Sequence, residues 1–201
     1  MKNTIAIVLA CLSLNCAAQS GDIYSDHFDD NRSGWLSDDT TENTGLKIEG
    51  GNLIMDGTKG KHATSITKQI DNSQDFEIEI TYTVLKQPGK YDNAGRLFWG
   101  FSDSLGGTWV GLSTKLFSFT YCRGGDHKND KHKSVFAYPR LKLDTPIHLS
   151  IRKVADEYLI FINGKRQRRL RFEKLPGDEL AIEVAKDSAL KIDDISIKYL
   201  N

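Results

Sequence analysis

The sequence predicts an all-β chain folded as a two-sheet antiparallel β-sandwich. Three observations lead there. Apolar and polar residues alternate with a period of two, most clearly in FEIEITYTV, residues 76–84. Gly, Asn and Asp punctuate such runs at short intervals, as turns require. No stretch sustains the 3.6-residue period of an amphipathic helix. Many short antiparallel strands bury their apolar sides by stacking as two sheets.

The first element is not part of that fold. MKNTIAIVLACLSLNCAAQS has Lys2, an apolar run over residues 5–14, and small residues ending at Ala18. This is the layout of a secretory signal peptide cut before Gln19. The run is too short to span a bilayer, which takes about 20 apolar residues, and no second segment suggests a transmembrane span. A lipid-anchored form, acylated at Cys11 or Cys16, stays open as an alternative. The expected division is a signal peptide at 1–18 and one sandwich domain at 19–201, in a secreted, periplasmic or cell-surface protein. Of the three cysteines only Cys122 lies in that domain. An exported domain without a disulfide framework must rely on its apolar core.

Within the domain, GLKIEGGNLIMDG reads as a hairpin turning at Gly50-Gly51. The run at 76–85 puts Phe76, Ile78, Ile80, Tyr82 and Val84 on one side and Glu77, Glu79, Thr81 and Thr83 on the other. GRLFWGFSDS and TWVGLSTKLFSFTYC add further strands. Trp99 shares parity with Leu97 and Phe101 and is expected in the core. Trp109 follows the loop DSLGGT and is expected to be the most exposed of the three tryptophans. Strands are also expected at 147–154, 158–162 and 180–184, and LKIDDISIKYL closes the chain.

The stretch LIFINGKRQRRLRF, residues 159–172, places five positive charges between Lys165 and Arg171. Asn-Gly is the strongest short signal of a type I′ hairpin, because both central residues need φ > 0. Asn163-Gly164 then pairs Ile162 with Lys165, Phe161 with Arg166, Ile160 with Gln167 and Leu159 with Arg168. A turn at Ala155-Asp156 pairs Ile151 with Ile160 and Leu149 with Ile162, and these four form a core face. The opposite face carries His148, Ser150, Arg152, Leu159, Phe161, Arg166 and Arg168. The chain balances 27 basic against 27 acidic residues, so it has no global basic field, and no nucleic-acid partner is expected. The basic run is instead a guarded sheet edge or a binding face. In the second case an aromatic ring beside guanidinium groups would hold an acidic glycan.

DHFDDNRSGW, GGNLIMDG, DFEIEITYT, AGRLFWGFSDS, HLSIRKVADEYLIFINGK and LKIDDISIKYL occur in the order expected of concanavalin A-like jelly rolls, and the chain resembles that superfamily. The superfamily includes laminin-G-like domains, lectins, glycanases and exported bacterial modules. WGFSDS and YLIFINGK are most similar to the uncharacterised bacterial modules. The resemblance implies a jelly roll covering nearly all of the mature chain, and these turn and core signatures specify fold more than activity.

Two function classes follow. The first is an exported, non-catalytic binding module for carbohydrate or a cell-surface protein partner. Its candidate ligand-binding residues are Trp109, His148, Arg152, Phe161, Arg166 and Arg168. The second is a glycoside hydrolase-like enzyme of the glucanase or 3-keto-disaccharide hydrolase type. Glycanases of this fold carry an E-x-D-x-x-E strand. Here Glu77 and Glu79 are the nearest match, and Glu79 and Tyr82 stand where that pattern has its Asp and its last Glu. No resident cofactor is expected, with one alternative. Asp26, Asp29, Asp193 and Asp194 would meet if the first and last strands pair, and hard oxygen ligands suit calcium. Cys122, Asp126, His127, Asp130 and His132 form a second, softer cluster, read here as a solvated loop. Cys122 itself is expected to face inward.

Overall fold

The computed structural model describes residues 21–37, 45–102, 104–123, 131–137 and 141–200. The proposed export segment and Asp126, His127 and Asp130 lie outside these residues.

The described residues form fourteen strands and no helix: β1 (Asp22–Asp26), β2 (Leu46–Ile48), β3 (Leu53–Asp56), β4 (His62–Thr67), β5 (Phe76–Lys86), β6 (Gly95–Ser102), β7 (Gly106–Leu112), β8 (Leu116–Arg123), β9 (Lys131–Ala137), β10 (Pro146–Val154), β11 (Glu157–Ile162), β12 (Lys165–Arg171), β13 (Glu179–Val184) and β14 (Ala189–Tyr199). An eight-stranded sheet has the order β12-β11-β10-β5-β14-β3-β2, with β1 also on β14. A six-stranded sheet has the order β4-β13-β6-β7-β8-β9. Every pairing is antiparallel.

Alternation decides what lies between the sheets. Phe76, Ile78, Ile80, Tyr82 and Val84 are fully buried, as are Leu149, Ile151, Ile160 and Ile162. They meet Leu97, Trp99, Val110, Phe117, Leu180 and Ile182 of the six-stranded sheet. Trp99 is the link across the middle. Its ring lies 5.8 Å from Tyr158, edge-on at 85°, and its Nε1–H donates to the Tyr158 hydroxyl at 3.1 Å. Such pairs add to simple area burial.

Both hairpin turns of the basic region form where expected. Asn163 and Gly164 have φ of 48° and 73°, the pair of positive values that a type I′ turn needs. Val154 pairs with Glu157, and Ile151 with Ile160, across Ala155-Asp156. Ala155 takes φ 50° there, a conformation that costs an L-residue about 1–2 kcal/mol. Two substitutions should therefore move stability in opposite directions. Gly164→Val should cost about 1–2 kcal/mol. A Cβ at 164 meets nothing within 4 Å, so backbone strain alone is being read. Ala155→Gly should add about 0.5–1 kcal/mol, the relieved strain less the extra freedom of an unfolded glycine. Urea midpoints measure both. Equal midpoints for the two variants would contradict the turn assignments.

The register of the second arm differs from expectation. Ile162 pairs with Lys165 and Phe161 with Arg166, but a bulge follows at Gln167. Ile160 is then opposite Arg168, and Leu159 opposite Arg169. The extra residue moves Arg168 to the side that Ile160 faces and brings Arg169 to the outer face beside Leu159. β12 is an edge strand, and Leu170 and Phe172 pack against the core.

Candidate functional site

The outer face of the eight-stranded sheet gathers most of the chemistry-bearing residues that the sequence singled out. One row across it runs Arg166, Phe161, Ser150, Glu79, Ser196 and Ser25, each the register partner of the next. The neighbouring row contains Leu159, Arg152, Glu77 and Lys198. His148 lies one further row along, opposite Thr81. These side chains share a face because the strands alternate, and most of their inward neighbours, such as Ile78, Ile80, Leu149, Ile151, Ile160 and Ile197, are buried apolar residues.

Glu77 anchors the face. Its carboxylate is only 2% exposed. Oε1 accepts from Ser150 Oγ at 2.5 Å and Arg152 Nε at 2.7 Å, and Oε2 lies 3.1 Å from Lys198 Nζ. Lys198 also donates to Glu79 Oε2 at 2.7 Å, and His148 Nε2 lies 3.4 Å from Glu79 Oε1. Burial pushes the Glu77 pKa up. The hydrogen bonds from Ser150, Arg152 and Lys198, with the charge of Arg152, outweigh that and hold it below the usual glutamate range. The hydrogen bond to Glu79 leads the effects that raise Lys198 above the ordinary lysine value; burial opposes it and Glu77 adds to it.

That environment does not suit Glu77, one of the two candidate carboxylates, to the role of a catalytic acid. A glycosidase acid needs a raised pKa and access to the glycosidic oxygen. Glu77 has a lowered pKa, little exposure and donors already on both oxygens. Lys198 pairs with both carboxylates.

The basic arm beside this network is open. The Arg152 guanidinium lies 4.8 Å from the centre of the half-buried Phe161 ring. Arg166 sits directly opposite Phe161 and is exposed. Arg169 is tied to Glu157 at 2.5 Å. Lys165, Arg166 and Arg171 make no ion pair among the described residues. The Asn163 side chain accepts the His148 amide at 2.9 Å, and the Asn163 amide donates to the His148 carbonyl at 2.8 Å. The turn is thus fastened to β10, which holds the face in shape.

Trp109 belongs elsewhere and is not exposed. It is 5% exposed and lies on the outer face of the six-stranded sheet. The Arg96 guanidinium is 4.7 Å from the centre of its ring, and Phe98 lies 6.3 Å away. Its Nε1–H points to Cys122 Sγ at 3.2 Å. Cys122 is therefore buried, but against Trp109 on the outer face and not between the sheets. Phe101 joins this outer group, 5.4 Å from Phe98, because a bulge between Trp99 and Ser102, with Gly100 at φ 55°, breaks its parity with Trp99. A Cβ at Gly100 would meet Leu175 at 2.5 Å, so the bend requires glycine.

The four acids expected as calcium ligands do not come together as a group. First and last strands do pair, with Asp26 opposite Ile195. Asp26, however, points at internal donors: the Phe28 amide at 2.7 Å, the Tyr24 hydroxyl at 2.9 Å and Trp35 Nε1 at 3.1 Å. Asp193 pairs with Lys191 at 2.9 Å, and Asp29 is exposed. Among the described residues no three His, Cys, Asp or Glu side chains come together to hold a metal.

Sequence alternation places the polar residues of β5 and β10 on this face but does not reveal Lys198. Its signal was the alternation of SIKY in the last strand, masked by the bulge at Asp193. No protein-family model matches the chain, and no curated protein matches it. Solved structures do. The carbohydrate-binding module CBM66 from Bacillus subtilis is 15% identical with a TM-score of 0.54, covering 73% of this chain and 85% of that one. The CBM2 module of the evolved Dit protein of Lactobacillus casei BL23 phage J-1 is 12% identical with a TM-score of 0.55, over 90% and 96%. The exoplasmic/lumenal domain of VIP36, in a Ca2+/Man-bound form, is 12% identical with a TM-score of 0.58, over 78% and 81%. At these identities the likeness is one of fold: the chain has a lectin-like β-sandwich.

Proposed function

We propose that the chain is an exported, non-catalytic carbohydrate-binding module whose ligand face is the outer face of the eight-stranded sheet at β10, β11 and β12. The observation that carries this reading is the Arg152 guanidinium 4.8 Å from the centre of the Phe161 ring, with the exposed Arg166 as the register partner of Phe161. An aromatic edge flanked by guanidinium groups suits a sugar ring bearing carboxylates or sulfates. The ring contacts C–H groups while the forks of Arg hold the anion by paired hydrogen bonds. The N-terminal layout supports export, and the modules and lectins that share the fold support a glycan as partner. His148 and Lys198 border the face, and the Glu77 network fixes its shape. Trp109 has no part in this site, and Arg168 lies on the other side of β12.

Affinity electrophoresis through gels containing polygalacturonate tests the reading. The wild type should be retarded at low salt, and added salt should release it because the attraction is screened. Phe161→Ala with Arg166→Ser should lower retention at least tenfold, whereas Arg168→Ser should leave most of it. Retention equal in wild type and double variant would contradict the site. Reducing sugar released from the same polymer would contradict the non-catalytic assignment.

A further inference from the structure

A cleft lies apart from the residues of the basic face. The β4–β5 loop, the end of β6 and the segment before β13 enclose a cleft of about 380 Å3. Its walls are fixed by main-chain contacts. The Asn72 side chain accepts the Leu175 amide at 2.8 Å and donates to the Leu175 carbonyl at 3.3 Å. The Gly177 amide donates to the Gly100 carbonyl at 3.0 Å, and the Lys68 amide to the Asp178 carbonyl at 2.6 Å. A Cβ at Gly177 would stand 2.0 Å from the Phe101 carbonyl oxygen, so only glycine lets this segment lie against β6. The cleft is thus formed before any ligand arrives, which spares a ligand the ordering cost.

The lining chemistry narrows the ligand. Its surface is mainly polar, with Ile70 and Leu175 almost wholly buried beneath it. Gln69, Ser102 and Asp178 offer amide, hydroxyl and carboxylate groups to the cleft, while the Asn72 amide is engaged by Leu175. This mixture of donors and acceptors matches hydroxyl groups, which both donate and accept. Among the described residues no Lys, Arg or His lines the cleft, and Asp178 disfavours an anion there. A wholly apolar ligand would strip water from these polar groups without replacing their hydrogen bonds. We infer that this cleft binds an uncharged sugar unit, of about mono- to disaccharide size for the volume. The inference does not rest on the basic face, and the two can fail separately.

The test is an amide chemical-shift titration of the purified protein with maltose, cellobiose, lactose and sucrose in turn. At least one should shift the amides of residues 69–72 and 175–178 saturably. Gln69→Ala with Asp178→Ala, both at exposed positions, should weaken that binding at least tenfold while leaving the unfolding midpoint and retention by polygalacturonate unchanged. If none of the four sugars shifts those amides saturably, or if the double variant binds as the wild type does, the cleft is not a sugar site.

Discussion

Replacing Trp99 with Ala is expected to cost the domain about 4 kcal/mol, near the top of the range for a core aromatic. Trp99 is fully buried at the middle of the sandwich. Its ring packs against Phe119 at 5.7 Å and Tyr158 at 5.8 Å, so truncation opens a cavity touching both sheets. The Tyr158 hydroxyl also loses the indole N–H. Trp99→Phe keeps most of the volume and removes that donor, and should cost about half as much. Equilibrium urea unfolding measures both. A loss below about 1 kcal/mol for Trp99→Ala would mean that the sheets do not meet at this residue.

Glu77→Ala should cost about 3 kcal/mol, the low end for breaking a buried ionic cluster. Arg152 and Lys198 are partly exposed and can regain water, which keeps the figure low. Glu77→Gln should cost about half as much, since the amide oxygen still accepts one donor. The pH dependence separates charge from packing. The folded pKa of Glu77 is lowered, so its contribution is complete above the ordinary glutamate value and is lost as pH falls through the folded value. Lys198 is raised, so its contribution is complete below the ordinary lysine value and is lost as pH rises through the folded one. Wild-type stability should therefore fall at both extremes, and Glu77→Gln should flatten the acid side. An acid-side slope identical in the two proteins would contradict the network.

Period-two patterning made the strands and both turns of the basic hairpin legible, because a strand with one buried face must alternate. It could not show where alternation is interrupted. A single extra residue at Gln167 exchanged the faces of Arg168 and Arg169. The bulge at Gly100 separated Phe101 from Trp99, and the shift at Asp193 hid Lys198. Each depends on pairing with a strand distant in sequence. Trp109 failed for another reason. Its position after a Gly-rich turn suggested exposure, but Arg96 and Phe98 come from the neighbouring strand and cover it. Glu77 was legible as an outward-facing acid. That it is enclosed required Ser150, Arg152 and Lys198 from two other strands.

The central claim is that the basic, aromatic face of β10, β11 and β12 holds an anionic glycan. The most direct measurement is an amide-shift map of the purified protein with a short oligogalacturonate at low salt. The expected result is saturable shifts at residues 148–152 and 159–166 that weaken with added salt. Shifts confined to the six-stranded sheet, or no saturable shift at those residues, would contradict it and leave the basic run as a guarded sheet edge.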